Sequence, residues 1–369
     1  MFVAALAVDS YDVDIFPPGE SIMHRTVSWF LLLLILTLHA IVITISLSFI
    51  THWRRRLPRK HLPALAGRTV RCFLFDCGET LWTRKDKAIW YTLESIASQR
   101  ALTILREHAP SGVLPVVDEV TLSHQIRQAV EERIRERKSQ DPEHEPDFIV
   151  LTQQGLAQLG IVGLDEQVCK AIFEALRVRV PESRPLFPDT LSTLTALKQR
   201  GFLLGIVTNR QHGGQPFFDD LRTLGLLNYF REHHIAVSAD RGIRKPHAAL
   251  FLHALNALGV PPEEAAMVGD SLSADVAGAK RLGIFSIWKP KARMFARARA
   301  NSLDLASQPS QAIQAATELD RDDDDAILAY AYSREKTWKQ RLHGPESKPD
   351  LIIEHLSDLL GIFAEAGPQ

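Results

Sequence analysis

Three short apolar runs, each ending abruptly in hydroxyl, amide or carboxylate side chains, constrain this chain more than any other feature. Val70 to Phe75 ends at Asp76, Phe202 to Val207 at Thr208-Asn209, and Ala265 to Val268 at Gly269-Asp270. The runs alternate with amphipathic stretches, the signature of a parallel sheet covered by helices, so the expected fold class is α/β. The three polar ends then gather at the carboxyl edge of one sheet, where open α/β folds bind ligands.

Two insertions interrupt this pattern. About 100 residues, from roughly Arg84 to Arg184, separate the first two runs and carry helical patterns at Ile89 to Leu105 and Val120 to Arg137. That is too long for a loop and predicts an all-helical cap domain inserted after the first strand. Within it, Glu131 to Lys138 reads as a solvated helix face with i,i+4 pairs. The strand candidate Ile284 to Trp288 is followed by about 55 residues before Asp350 to Ile353 resumes the sheet and Leu356 to Phe363 closes it as a helix. The acidic run Asp320 to Asp325 precedes the helical pattern Ala326 to Leu342, where negative charge at a helix start is favourable on dipole grounds alone.

One segment does not read as soluble. Val27 to Ile50 contains no Asp, Glu, Lys or Arg, and about 20 apolar residues suffice to cross a hydrocarbon core of about 30 Å. Trp53-Arg54-Arg55-Arg56 follows, where a cleaved signal peptide would end in small residues. With Arg59 and Lys60 these arginines place the long C-terminal part in the cytoplasm by the positive-inside rule. The expected layout is a short N-terminal segment (1–26), a single transmembrane helix (27–50) and a basic linker (51–68). A core of 69–83 and 185–369, with an insertion at 290–348, and a helical cap at 84–184 complete it. A formal net charge of −1 supplies no field that would favour nucleic acid. Cys72, Cys77 and Cys169 are too few and wrongly spaced for a disulfide framework or a zinc site.

The carboxyl edge would collect Asp76, Thr208, Asp270 and Asp275, with a lysine available from Arg244-Lys245-Pro246. Carboxylates gathered at one point repel unless a cation is present, and oxygen-only ligands select a hard ion, here Mg²⁺. A lysine and a threonine hydroxyl beside that ion suit an oxyanion such as phosphate. An aspartate there can attack phosphorus.

Asp76-Cys77-Gly78-Glu79-Thr80-Leu81, Thr208-Asn209, Lys245-Pro246 and Gly269-Asp270-Ser271-Leu272-Ser273-Ala274-Asp275 resemble, in order, the four motifs of the haloacid dehalogenase (HAD) superfamily. Phe187-Pro188-Asp189 and Gly278 to Gly283 fall where that family carries supporting pieces. The resemblance implies a three-layer Rossmann-like core and a hydrolase acting on a small phosphate ester. It implies that Asp76 is nucleophile and metal ligand, that the Gly78 carbonyl is a further ligand, and that Thr208 and the Asn209 backbone hold the transferring group. Lys245 would neutralise the nucleophile and the pentavalent intermediate, Asp270 would bind the metal, and Asp275 would support the metal or the lysine. One position departs from the pattern. Phosphatases of the superfamily usually carry a second aspartate as general acid and base two residues after the nucleophile, where this chain has Gly78, with Glu79 where a glycine is usual. Glu79 is the candidate substitute. The departure keeps open hydrolysis of carbon–halogen or phosphonate bonds, or a weakly active or inactive membrane-tethered binding module.

Overall fold

β1 (Cys72–Phe75) is the middle of the sheet, which is why all four of its residues are buried. It pairs in parallel with β2 (Leu203–Thr208) on one side and with β4 (Ala265–Gly269) on the other, Phe75 lying opposite Ile206 and Val268. β3 (Ile235–Val237), β5 (Phe285–Trp288) and β6 (Leu351–Ile352) complete a six-stranded parallel sheet in the order β3-β2-β1-β4-β5-β6. The computed structural model describes residues 67–110, 112–291, 294 and 348–364. The candidate span at 27–50, the basic linker as far as residue 66 and the Asp320 to Asp325 run lie outside the described residues. Among the described residues no helix is long and apolar enough to cross a membrane.

Side chains of a strand alternate between faces, and the core divides accordingly. Phe73 and Phe75 join Leu204, Ile206, Val268, Phe285 and Phe363 on one face of the sheet. Cys72 and Leu74 join Val207, Met267, Leu255 and Ile284 on the other. Phe73 meets the rings of Phe202 and Phe363 edge-on, both at 5.0 Å. Gly205 in β2 is there for close approach: a Cβ would lie 2.9 Å from Leu74 Cδ2 and 3.0 Å from Leu258 Cδ1.

The segment inserted after β1 holds four helices of ten residues or more before the chain returns toward the core: α1 (Lys87–His108), α2 (Glu119–Gln140), α3 (Phe148–Gln158) and α4 (Glu166–Ala175). Each starts at an aspartate whose carboxylate accepts from the backbone of the first turn: Asp86 from Ala88, Asp118 from Thr121, Asp147 from Ile149 and Val150, and Asp165 from Val168. Such caps satisfy donors the helix cannot, and they extend α1 and α2 beyond their apolar periodicity. The four helices bury a cluster of their own that includes Leu102, Leu105, Ile126, Val130, Leu156 and Ile172.

Backbone hydrogen bonds join this helical unit to the core at the hinge and at the α2–α3 loop, and Phe173 stacks on His212 of the core at 4.3 Å. At the hinge, Thr83 N donates to Pro185 O (3.0 Å) and Lys85 N to Ser183 O (3.0 Å). Further along, the α2–α3 loop docks on the loop before Lys245, with Glu145 N donating to Gly242 O (2.9 Å) and Arg244 N to Glu143 O (2.7 Å).

Candidate active site at the carboxyl edge of the sheet

Asp76 leaves β1 with its backbone N donating to Val268 O at 2.9 Å, which keeps its side chain at the sheet edge. Lys245 reaches it from the loop before the helix Ala248–Leu258: Nζ lies 2.7 Å from Asp76 Oδ1 and 2.6 Å from Asp275 Oδ1, and it donates to Val207 O at 2.7 Å. Burial opposes the charge of Lys245, but Asp275 and Asp76 outweigh it and hold its pKa above the ordinary lysine value. The Asn209 side chain fixes the lysine's backbone from both sides, Oδ1 accepting from Lys245 N (2.8 Å) and Nδ2 donating to Lys245 O (3.0 Å). Asn209 therefore uses its side chain to place the ammonium. Thr208 is buried at the end of β2. Its hydroxyl faces the Cys77 thiol, which burial, followed by the charge of Asp76, pushes up to about 12, so Cys77 has the protonation of an inert core thiol.

Asp275 is placed by a wide helical turn, Leu272–Val276, that follows β4. Its Oδ2 accepts from Ser271 N at 2.9 Å. Gly269 leaves room for it: a Cβ there would lie 2.2 Å from the Asp275 carboxyl carbon. One carboxylate oxygen each from Asp76, Asp270 and Asp275 lies within 4.8 Å of the others. Burial, and then Asp76, raise the pKa of Asp270 well above the carboxylate range. Burial raises that of Asp275 too, against the pull of Lys245. Acidic groups driven toward protonation by burial and by one another are what a divalent cation relieves, and a donor set made only of oxygens fits a hard ion. Lys291 is the cation beside Asp270, with Nζ 3.1 Å from Oδ2.

The loop after Asp76 turns sharply at Glu79, whose φ of +56° is left-handed, a region that costs a side-chain-bearing residue and that glycine occupies freely. The Glu79 carboxylate accepts from Thr83 Oγ1 at 3.3 Å, toward the hinge. Its carbonyl accepts from Lys289 Nζ at 3.3 Å, and that ammonium also sits 3.7 Å from the centre of the Phe187 ring. At Gly78 nothing crowds the backbone, and a Cβ would meet only Asp76 Oδ2 at 4.0 Å.

The structure thus brings Asp76, Lys245, Asp270 and Asp275 together, with Thr208 and Asn209 at the end of the adjacent strand. It adds residues that sequence reasoning missed. Lys289 and Lys291 follow β5 as Asp76 follows β1, so the rule of polar strand ends would have found them. Glu145 accepts from Ser238 Oγ (2.5 Å) and Arg244 Nη1 (2.7 Å) and lies 3.1 Å from Lys138 Nζ. Nothing local in the sequence marks it, because the core partners it reaches, Ser238 and Arg244, are about 100 residues away.

A glyceraldehyde 3-phosphate phosphatase of Methanopyrus kandleri is 28% identical over 218 residues, covering 59% of this chain and 83% of the relative. A glyceraldehyde 3-phosphate phosphatase of Pyrococcus furiosus is 39% identical over 27% of this chain and 40% of its own length. A phosphoserine phosphatase of Thermus thermophilus is 40% identical over 28% of this chain and 40% of its own. For these last two the chain spans well under half of the relative's length. The family model for haloacid dehalogenase-like hydrolases matches residues 70–283, and this chain belongs to that family of hydrolases.

Proposed function

We propose that the protein is a magnesium-dependent phosphomonoester phosphatase that works through an aspartyl-phosphate on Asp76. The observation that carries this reading is the Asp76 carboxylate, flanked at 2.7 Å by the Lys245 ammonium and grouped with Asp270 and Asp275 in one oxygen cluster. That relatives in several organisms are phosphatases supports it.

A carboxylate oxygen of Asp76 attacks phosphorus, the ester P–O bond breaks, and the alkoxide leaves as its alcohol. Water then attacks the same phosphorus and returns Asp76 as a carboxylate, with inorganic phosphate released. Lys245, held by Val207 O and Asn209, keeps positive charge against the phosphoryl oxygens in both steps. Asp76, Asp270 and the Gly78 carbonyl would hold Mg²⁺, with Asp275 supporting the lysine. The ion when bound would neutralise the phosphoryl oxygens and polarise phosphorus. Asp275 places Lys245, and the Thr208 hydroxyl and Asn209 N–H receive the transferred group. The leaving oxygen still needs a proton. Glu79 is the acid nearest in sequence, and a shift from Thr83 toward the reacting phosphate would bring it into use. The helical unit acts as a cap that closes over substrate and excludes water.

Gly78 favours a second reading, hydrolysis of carbon–halogen or phosphonate bonds, since neither needs the second aspartate. Assay of the full-length chain against phosphomonoesters, with and without Mg²⁺ and beside Asp76→Asn, separates the two. Metal-dependent turnover above that of the variant supports the phosphatase. Release of halide, or cleavage of a phosphonate, without ester cleavage would replace it.

We also infer a membrane tether at 27–50 with the hydrolase on the cytoplasmic side, from the uncharged span and the arginines after it. Digestion of the C-terminal part by protease added outside intact cells would overturn that orientation.

A further inference from the structure

The hinge between core and helical unit collects guanidinium groups. Arg84 Cζ lies 4.8 Å, and Arg184 Cζ 5.1 Å, from the centre of the Trp90 ring, so one indole carries both cations. Arg210, two residues beyond Thr208, sits 4.6 Å over Phe217 and 5.8 Å over Trp82. The acids nearby are already engaged. Asp220, fully buried, pairs with Arg177 and, at 3.4 Å, with Arg179, and accepts from Val180 N at 3.1 Å. Glu79 accepts from Thr83.

Among the described residues, the side chains of Arg84, Arg184 and Arg210 have neither a hydrogen bond nor a carboxylate partner, and Arg210 Nε is buried without an acceptor. Burial, then the charges of Arg210 and Arg84, push Arg184 down to about 10, with Glu79 opposing. Arg184 therefore lies in the field of both other cations, and Arg210 sits over Trp82, which bridges to Gly78 in the loop that carries the nucleophile. Burial is what lowers Arg210, with the more distant charges of Asp220 and Asp76 opposing it.

A cation withdrawn from water without an anion is costly. A guanidinium stacked on an aromatic face keeps its planar edge of donors for a carboxylate or phosphate. We propose that Arg184 and Arg210, backed by Arg84, form a subsite for a second anionic group of the substrate. The favoured substrate is then a small phosphate ester carrying a carboxylate or a further phosphate besides the one cleaved. This rests on the phosphatase reading for the identity of the reacting group. Because Arg84 and Arg184 flank the helical unit and Arg210 belongs to the core, the subsite is complete only where the two meet.

The test uses the full-length chain and two matched pairs of esters. 3-Phosphoglycerate and glycerol 3-phosphate differ in the carboxylate, whereas fructose 1,6-bisphosphate and fructose 6-phosphate differ in the second phosphate. Preference for the more anionic member by about tenfold or more in kcat/KM is expected in one pair, which identifies the group bound. Arg184→Gln and Arg210→Gln should each collapse that preference, mainly through KM, and Arg184→Lys should restore part of it. Absence of preference in both pairs, or a preference that survives both Gln variants, overturns the subsite. If no ester is cleaved, the phosphatase reading fails separately. The subsite is then judged by tryptophan fluorescence of Asp76→Asn protein titrated with the same four compounds. Tighter binding of a more anionic member that is lost on adding Arg184→Gln upholds it, and equal binding overturns it.

Discussion

Lys245 Nζ and Asp76 Oδ1 lie 2.7 Å apart, with the two side chains only 2% and 11% exposed. Removing the ammonium would leave Asp76 and Asp275 facing each other without a cation, and breaking a buried pair typically costs about 3–5 kcal/mol. Lys245→Met is therefore expected to lower the free energy of urea unfolding by about 3 kcal/mol without added metal, and to lower kcat by about 100-fold or more. Mg²⁺ should return part of the stability and little of the rate. A variant that keeps wild-type turnover would remove Lys245 from the chemistry.

Stability of the metal-free protein should fall as pH rises. Asp270 and Asp275 have folded-state pKa values raised by burial above the ordinary 3.8, so the folded state binds more protons than the unfolded state across that interval. Stability from this source is present at acid pH and is lost as pH climbs from the carboxylate range toward neutrality. In EDTA the melting temperature should drop between about pH 5 and pH 8 by about 3 °C or more. Mg²⁺ should lift it more at the higher pH, where no proton has to be displaced. Calorimetry at both values, with and without the ion, checks the sign.

Gly78 has space for a side chain, since a Cβ there meets only Asp76 Oδ2 at 4.0 Å. If the missing acid limits turnover, Gly78→Asp should raise kcat by about tenfold or more on esters with poor leaving groups, because a positioned acid contributes about 10²–10⁴-fold. Esters whose alcohols leave readily should gain much less. Glu79→Gln, compared on the same esters, reports whether Glu79 already supplies part of that proton.

Glu145 ties the α2–α3 loop to the core beside Lys245, with its side chain 2% exposed. Glu145→Ala would strand Arg244 and Lys138, costing about 3 kcal/mol locally. Amide hydrogen exchange across 141–147 should accelerate and KM should rise, with a smaller change in kcat. Unchanged exchange would mean that backbone pairing of Glu143 and Glu145 suffices to dock the loop.

The strands that place the site were readable from sequence because buried parallel strands are short apolar runs, and Asp76, Thr208 and Asp270 mark their polar ends. β3 carries no such signal, since Ile235–Val237 is three residues long and offers no period to detect. Helices α3 and α4 escaped separate recognition, although Asp147 and Asp165 cap them in the same manner as Asp86 and Asp118 cap α1 and α2. Least legible were contacts made across long separations. The Asn209 clamp on Lys245 joins residues 36 apart, and Arg84 and Arg184 converge on Trp90 only after the chain has passed through the whole helical unit. Such pairings depend on packing that no local pattern encodes.

The central claim is that Asp76 carries the phosphoryl group, and chemical trapping tests it most directly. Full-length protein mixed with Mg²⁺ and a phosphomonoester, quenched in acid during turnover and reduced with borohydride, should contain homoserine at position 76, formed by reduction of the acyl phosphate. Asp76→Asn protein and samples without Mg²⁺ should show none. Sustained Mg²⁺-dependent ester hydrolysis with position 76 unmodified in every quenched sample, or hydrolysis retained by Asp76→Asn, would contradict the account.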